Sequence, residues 1–242
     1  MPFMGLDAFW VYLSASPLWW LTVTLLVYLA MQKLFFLGGG NALLNPVALS
    51  MIVLIALLEA TGTAYEEYFA GAQFLHFLLG PATVALAVPL FRHLPRLRRI
   101  WFPVAVSLTV GAAAGAFSAV AIGRLLGMDT RMLLTLAPKS VTTPVAMGVS
   151  EILGGIPAMT AAFVAVTGIT GAVIGIRLLR AAGVEDESAV GIAMGVAAHG
   201  IGTARSFDVS PVSGAFAGLA MALCALITTV MLPMAFELLG WH

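Results

Sequence analysis

The chain has 242 residues, of which 61% are hydrophobic and only 9% are charged. A soluble domain carries about 25% charged residues, so the composition excludes an ordinary soluble protein and predicts an integral membrane protein. The formal net charge is zero, which removes the electrostatic argument for nucleic-acid binding.

The hydrophobic pattern predicts an all-α fold. The length allows about eight apolar segments of about 20 residues that cross or re-enter the membrane. We expect a single domain over residues 1–242, made of an N-terminal extension with the first span at 1–40, a first repeat unit at 44–127 and a second at 128–239. The second apolar segment opens with Asn45-Pro46, a capping residue followed by a proline in the first turn.

The next apolar segment is interrupted at residues 80–83, where Gly80 and Pro81 stand before Thr83. Glycine and proline together favour a break in a helix. The loop that follows, residues 92–99, is the densest positive cluster in the chain. The positive-inside rule places this loop in the cytoplasm.

A second interruption lies at residues 136–150, LAPKSVTTPVAMGVS. Pro138 and Pro144 make a continuous helix there unfavourable. Between the prolines lie a cation and three hydroxyl side chains: Lys139, Ser140, Thr142 and Thr143. Irregular backbone at membrane depth is tolerated where it is packed in protein or lines a wet cavity, and a lysine there is costly. The stretch therefore predicts a binding site for a small anion.

Two alternatives remain open for this stretch. Pro138 and Lys139 also suit an ordinary loop at the membrane surface, with the lysine extended to the lipid headgroups. The hydroxyl groups also suit a structural role, in which they bind the backbone groups that the prolines leave unpaired.

The two interrupted segments resemble each other. LGPATVALAVP aligns with LAPKSVTTPVA at an offset of 57 residues, with Pro81 on Pro138. The apolar spans that follow, residues 101–127 and 158–183, align at a similar offset. Opposite charge in equivalent loops predicts an inverted repeat with discontinuous, re-entrant helices, which is the sequence signature of a transporter site.

A third unusual segment, residues 188–205, contains GIAMGVAAHGIGTAR. His199 suits a proton relay or pH-dependent binding, and a structural histidine in the core is the alternative. Gly200 and Gly202 would break the helix or admit a ligand close to the backbone, beside Thr203. Arg205 suits a bidentate grip on a carboxylate or a place in an interfacial loop.

Enzyme chemistry finds no support in the sequence. The chain has no G-x-S-x-G elbow, no P-loop and no metal-ligand spacing, so we expect a non-enzymatic protein without cofactor or metal. The single cysteine, Cys224, lies in an apolar run and suits a packing role.

Four ordered motifs resemble the LrgB/CidB family of membrane proteins: LGPATVALAVPL, PKSVTTPVAM with GGIPA, GIAMGVAAHGIGTAR and GAFAGLAMALC. The resemblance covers residues 45–233, and the first 40 residues carry no family motif. It implies a bacterial plasma-membrane protein that works with a small LrgA/CidA-like membrane partner. Family members are described as antiholin-like regulators of murein hydrolase export and cell lysis, or, in plants, as plastid glycolate and glycerate translocators. Bacterial members have also been linked to pyruvate uptake.

The residues themselves favour a carrier, because a holin needs no paired broken segments around a cation. We therefore predict a carrier for small monocarboxylates, coupled to a proton or sodium ion or working by exchange, with the antiholin-like role as the alternative. Glycine- and alanine-rich faces also allow the chain to self-associate. The predicted substrate site comprises Lys139, Ser140, Thr142, Thr143, Thr83, His199, Thr203 and Arg205.

Overall fold

The computed structural model describes residues 17–41, 44–85, 91 and 94–241. Within these residues the regular structure is helical and no strand is present, which confirms the all-α prediction. The helices are α1 Pro17–Leu37, α2 Pro46–Thr61, α3 Tyr65–Ala85, α4 Leu94–Arg99, α5 Trp101–Leu125, α6 Thr130–Leu136, α7 Thr143–Ile152, α8 Pro157–Ala181, α9 Glu187–Val209 and α10 Pro211–Leu238. By length and apolar composition, α1, α5, α8 and α10 can each cross a membrane.

The chain divides into two compact units, Met1–Ala85 and Leu86–His242. In the first unit, Trp20 of α1 is fully buried and meets the ring of Tyr68 of α3 edge-on at 5.8 Å. Asn45 caps α2 by accepting a hydrogen bond from the backbone N–H of Ala48 at 3.0 Å. This confirms the predicted start of α2, with Pro46 in its first turn.

The predicted break at residues 80–83 is wrong. Helix α3 continues through Gly80 and Pro81 to Ala85. A proline removes one backbone donor and favours a kink rather than a full interruption.

The second unit contains a repeat. Helices α5 and α8 are both 25 residues long, and each is followed by a glycine with positive φ, Gly127 at 79° and Gly183 at 78°. Glycine is favoured in this left-handed conformation after a helix. An aspartate then caps the next helix: Asp129 accepts from Met132 N at 2.8 Å, and Asp186 from the N–H of residue 188 at 2.9 Å. These parallel features support the alignment of residues 101–127 with 158–183.

Helices α6 and α7 form a re-entrant hairpin, called hairpin 1 (residues 130–152). Its first arm, α6, lies parallel to α8: Thr135 Oγ1 accepts from Ile156 N at 2.9 Å near the start of α8. Val141, further along, packs with Val164, further along α8.

The second arm of hairpin 1 runs back. Thr160 Oγ1 donates to Ser150 Oγ at 2.7 Å near the end of α7, whereas Ala146, earlier in α7, packs with Val164, later in α8. Helix α7 is therefore antiparallel to α8. The turn between the two arms is tip 1, residues 137–142, so the predicted interruption at Pro138 coincides with a turn between helices.

The segment α9 consists of two helical arms that form a second hairpin, called hairpin 2 (residues 187–209). Its first half (residues 187–197) is parallel to α10, because Gly191 lies against the Ser213 carbonyl and Gly195 against Ala217.

Its second half (residues 200–209) is antiparallel to α10. Thr203 contacts Met221, and Phe207, further along α9, lies against Gly214, earlier in α10. The chain reverses at Ala198 and His199, whose backbone dihedrals are not helical. These two residues form tip 2.

The two hairpins enter from opposite sides. Leu133 packs at Gly123 near the end of α5, and Ser140 lies beside Gly115 at the middle of α5. Helix α6 therefore runs antiparallel to α5 and parallel to α8, so α5 and α8 run in opposite directions. The inverted repeat consists of α5 with hairpin 1 and α8 with hairpin 2. Its paired breaks are tips 1 and 2, and not the pair at residues 80–83 and 137–144 that the sequence alignment proposed.

Candidate functional site

Tip 1 carries the cation. Ala137 and Pro138 are buried, and Lys139 and Ser140 are partly buried. The Lys139 ammonium donates to Ser140 Oγ at 3.2 Å. In the described part of the chain no carboxylate forms an ion pair with Lys139. A partly buried ammonium with only a neutral oxygen partner retains the capacity to bind an anion.

The position of tip 1 along α5 fixes its depth. Ser140 Oγ lies 3.4 Å from where a Cβ on Gly115 would stand. Gly115 is near the midpoint of α5, a helix long enough to cross a membrane. The alternative of a surface loop for Lys139 is therefore disfavoured by this position, because the tip lies at the level of the bundle centre.

Helix α7 begins inside the bundle at this tip. Its N-cap residue is Thr142, which makes no side-chain capping hydrogen bond within the described residues, and Pro144 lies in the first turn. Thr142 and Thr143 are partly buried. The first N–H groups of a helix carry a partial positive charge and attract anions. The start of α7 therefore adds to the positive potential of Lys139.

Tip 2 is a strained turn around a buried histidine. His199 has φ 41° and ψ −129°, a region that side chains other than glycine avoid. Its Nε2 lies 3.0 Å from the Val164 carbonyl oxygen. Because that carbonyl can only accept, Nε2 carries the proton and donates. The imidazole also lies on Gly168 of α8, where a Cβ would come within 2.7 Å of the ring.

The remaining predicted residues of this segment separate into two groups. Thr203 is buried and its hydroxyl donates to the His199 carbonyl at 2.8 Å, so it supports tip 2. Arg205 pairs with Asp208 at 3.1 Å near the end of α9.

The predicted roles of Gly200 and Gly202 need correction. Gly200 is not the break, because the non-helical residues are Ala198 and His199. Gly202 has a packing role, since a Cβ there would stand 2.5 Å from the Met194 carbonyl oxygen in the other arm of hairpin 2. The side chain of Thr83 lies outside the described residues.

Both tips contact the same residue of α8, Val164. Val164 packs against Val141 of tip 1 through its side chain and accepts from His199 of tip 2 through its carbonyl oxygen. A void of about 10 Å³ next to this junction is lined by residues of both hairpins, including Pro138, Ser140 and Val196. The structure therefore brings Lys139, Ser140 and His199 to one central region.

Sequence reasoning missed three contributors to this region. Gly115 and Gly168 admit the tips to the bundle, and Val164 joins them. The glycines of α8 appeared in the sequence as a stripe of small residues suited to helix contact. That stripe was the available signal for the surface of α8 against which hairpin 2 packs.

In the described part of the chain, four helices long and apolar enough to cross a membrane and two opposed hairpins define a polytopic all-α membrane protein. The sequence profile of the LrgB-like family matches residues 24–238. The chain belongs to the LrgB family, which confirms the resemblance seen in its motifs.

The relatives have uninformative or antiholin-like names. The chain is 37% identical to the uncharacterized protein YwbG of Bacillus subtilis (strain 168) over 213 residues, 88% of this chain and 94% of YwbG. It is 30% identical to an uncharacterized protein of Haemophilus influenzae over 237 residues, 98% of this chain and 94% of that protein. It is 29% identical to the antiholin-like protein LrgB of Bacillus cereus (strain B4264) over 227 residues, 94% of this chain and 99% of LrgB. No solved structure is significantly similar to the chain.

Proposed function

We propose that this protein is a carrier for small monocarboxylates of the glycolate, glycerate, pyruvate and lactate class. The substrate carboxylate binds between the hairpin tips, and transport is coupled to a proton or sodium ion or proceeds by exchange. The protein is non-enzymatic in this proposal, as the LrgB-like family and the antiholin-like name of a relative favour.

The observation that carries the proposal is Lys139. Its ammonium is partly buried at the centre of the bundle, with Ser140 as its hydrogen-bond partner and no carboxylate partner among the described residues. Desolvating a charge is costly unless an opposite charge compensates for it. A substrate carboxylate would supply that charge, and the uncapped start of α7 at Thr142 would add hydrogen-bond donors.

The small central void requires that the hairpins move. About 10 Å³ holds roughly one water molecule, so a carboxylic acid fits only when the tips separate. Two hairpins that enter from opposite sides give each side of the membrane its own movable barrier. This arrangement supports alternating access of the kind used by inverted-repeat transporters.

A second candidate is favoured by one observation, the name of the relative called antiholin-like protein LrgB. In that function the protein acts in a bacterial inner membrane, with a small LrgA-like membrane partner or with further copies of itself, and modulates murein hydrolase export and lysis. A carrier with such a partner would also affect lysis indirectly, through carboxylate flux and proton balance.

Proteoliposomes distinguish the two candidates. Purified protein is reconstituted, and uptake of labelled pyruvate and glycolate is measured beside leakage of an encapsulated, unrelated dye. Saturable uptake without dye leakage is the expected result. Leakage limited only by solute size, without saturation, would contradict the carrier and support a pore.

A further inference from the structure

A cavity of about 710 Å³ lies between α5, the end of α8 and the first half of α9. One end of the cavity, called its mouth, is lined by residues at the ends of helices, among them Ile100, Val184 and Asp186. The opposite end of the cavity, called its floor, is lined by Gly111, Val196 and Ala197, next to tip 2. With a rise of 1.5 Å per residue, the path along α5 from Ile100 to Gly111 is about 16 Å. The cavity therefore reaches about halfway through a hydrocarbon core that is about 30 Å thick.

Only a thin layer separates this cavity from the central void. Val196 lines both spaces. Its Cγ1 lies 3.0 Å from where a Cβ on Gly111 would stand, so the two helices touch there. On the far side of the layer, Ser140 of tip 1 lines the void. The Gly111–Val196 contact is thus the barrier between the cavity and the candidate site.

The opposite half of the unit is filled. Leu133, Leu134 and Val149 of hairpin 1 pack with Leu232 and Phe236 of α10 in a buried cluster. Among the described residues, the side of the unit on which hairpin 1 enters is therefore tightly packed, whereas the side with the cavity mouth is open to the level of the tips.

Charge identifies the open side. Arg98 and Arg99 of α4 directly precede α5, and Arg180 ends α8, so all three lie at the level of the mouth. The other ends of these helices carry Arg124 and, after the turn, Arg131. Arg92 and Arg96 precede Arg98 in the sequence, and this excess of arginine indicates that the mouth faces the cytoplasm.

The lining suits passage rather than tight binding. Most lining residues are apolar, and the polar ones are Ser107, Asp186 and Ser188. The Asp186 carboxylate accepts from the backbone N–H groups of residues 188 and 189, which it caps. The lining thus holds no cation to retain an anion before it reaches Lys139.

We propose that this cavity is the cytoplasmic access path to the tips and that Val196 against Gly111 is its inner closure. The inference rests on the proposed carrier function. In this proposal hairpin 2 is the barrier on the cytoplasmic side and hairpin 1 is the barrier on the opposite side. The described conformation is then open toward the cytoplasm.

Cysteine labelling tests the access path without any substrate. Cys224, the single cysteine, is changed to alanine, and Ser107→Cys or Ala193→Cys is introduced in the cavity lining. Val106→Cys is the matched control: it neighbours Ser107, is 45% exposed and does not line the cavity. The probe is a membrane-impermeant anionic methanethiosulfonate, applied to sealed vesicles of known orientation.

From the cytoplasmic side, both cavity cysteines should react at least about tenfold faster than the control, because the reactive thiolate forms in water and not in hydrocarbon. From the other side they should not react. Equal rates for cavity and control cysteines, as in a lipid-filled groove, would overturn the access path, as would labelling from the opposite side.

The inner closure is tested with Ala112→Cys, which lines the central void. Val196→Ala should raise its cytoplasmic labelling rate several-fold, whereas the same change at the exposed Val166 should leave it unaltered. An unchanged rate in correctly folded Val196→Ala protein would refute the barrier. Normal uptake with an unlabelled cavity would overturn the path alone, and a labelled cavity without any uptake would overturn the carrier alone.

Discussion

The two hairpin tips have the same place in the inverted repeat and use different chemistry. Tip 1 is a turn of six residues, 137–142, that contains Pro138 and carries Lys139. Pro144 lies just after it, in the first turn of α7. Tip 2 reverses the chain over Ala198 and His199 and fixes the turn by packing a buried imidazole on α8. Tip 1 therefore carries a charge, whereas tip 2 is held in place by its shape and its hydrogen bonds. Each prediction below tests one side of this difference.

The largest expected effect is at Lys139. Lys139→Met keeps the length of the side chain and removes its charge, so carboxylate uptake should fall to the rate of empty liposomes while the melting temperature stays nearly unchanged. Lys139→Arg should also impair uptake, because a planar fork replaces a compact ammonium. The matched control is Lys33→Met, at the only other lysine, which is exposed on α1. Normal uptake by Lys139→Met would show that the positive charge of tip 1 does not bind the substrate carboxylate.

The next effect is on stability and concerns Gly168 of α8, against which the His199 ring of tip 2 packs. In Gly168→Ala the new Cβ would stand 2.7 Å from the His199 ring, and such overpacking costs about 1–3 kcal/mol. Thermal unfolding in detergent should show the loss. Gly148→Ala in α7 is the control, because among the described residues no atom beyond its own stretch of helix lies within 4 Å of its Cβ position. Removing glycine from a helix stabilises it by up to about 1 kcal/mol. Equal melting temperatures for the two variants would mean that the His199 ring is not held against α8.

A third prediction concerns pH. A neutral His199 satisfies the Val164 carbonyl with its Nε2 proton, and protonation adds a second N–H that needs another acceptor. His199→Gln keeps a donor and does not titrate. The pH profile of uptake should therefore flatten in this variant, with the protein still folded. A working variant with the original profile would assign His199 a purely structural role.

The smallest expected effect is at Thr203. Its hydroxyl donates to the His199 carbonyl at 2.8 Å, so Thr203→Val should cost about 0.5–1.5 kcal/mol in unfolding free energy. Thr229→Val removes a hydrogen bond of the same length and spacing from an exposed position in α10 and should change little. A difference below the error of the melting experiment would show that tip 2 does not depend on this bond.

The tips also differ in how far the sequence predicted them. Tip 1 was readable because proline acts locally: Pro138 disfavours continuation of the helix before it, and Pro144 suits the first turn of a new helix. Tip 2 was missed as the partner of tip 1, because its turn depends on contacts between distant residues, the His199 ring on Gly168 and Gly202 against Met194. Such contacts leave only a high density of glycine in the sequence.

Local patterns misled the prediction at two other positions. Pro81 resembled Pro138 in its neighbours, yet α3 continues through it. Arg205 lay close to His199 in sequence, yet its pairing with Asp208 directs it to the end of α9. The all-α class and the Asn45 cap followed from local propensity and composition, which single sequences encode well.

The threonine and serine contacts at the base of hairpin 1 have a consequence for biogenesis. Thr135, Ser150 and Thr160 are completely buried, and the Thr160 hydroxyl lies 2.9 Å from the Thr135 carbonyl and 2.7 Å from Ser150. Until α8 has left the ribosome, Ser150 and the end of α6 lack this partner, and unsatisfied polar groups are expensive in lipid. Hairpin 1 should therefore remain near the translocon or the membrane surface during synthesis and enter the bilayer together with α8. Insertion of this half of the protein is then a single late event shared by three helices.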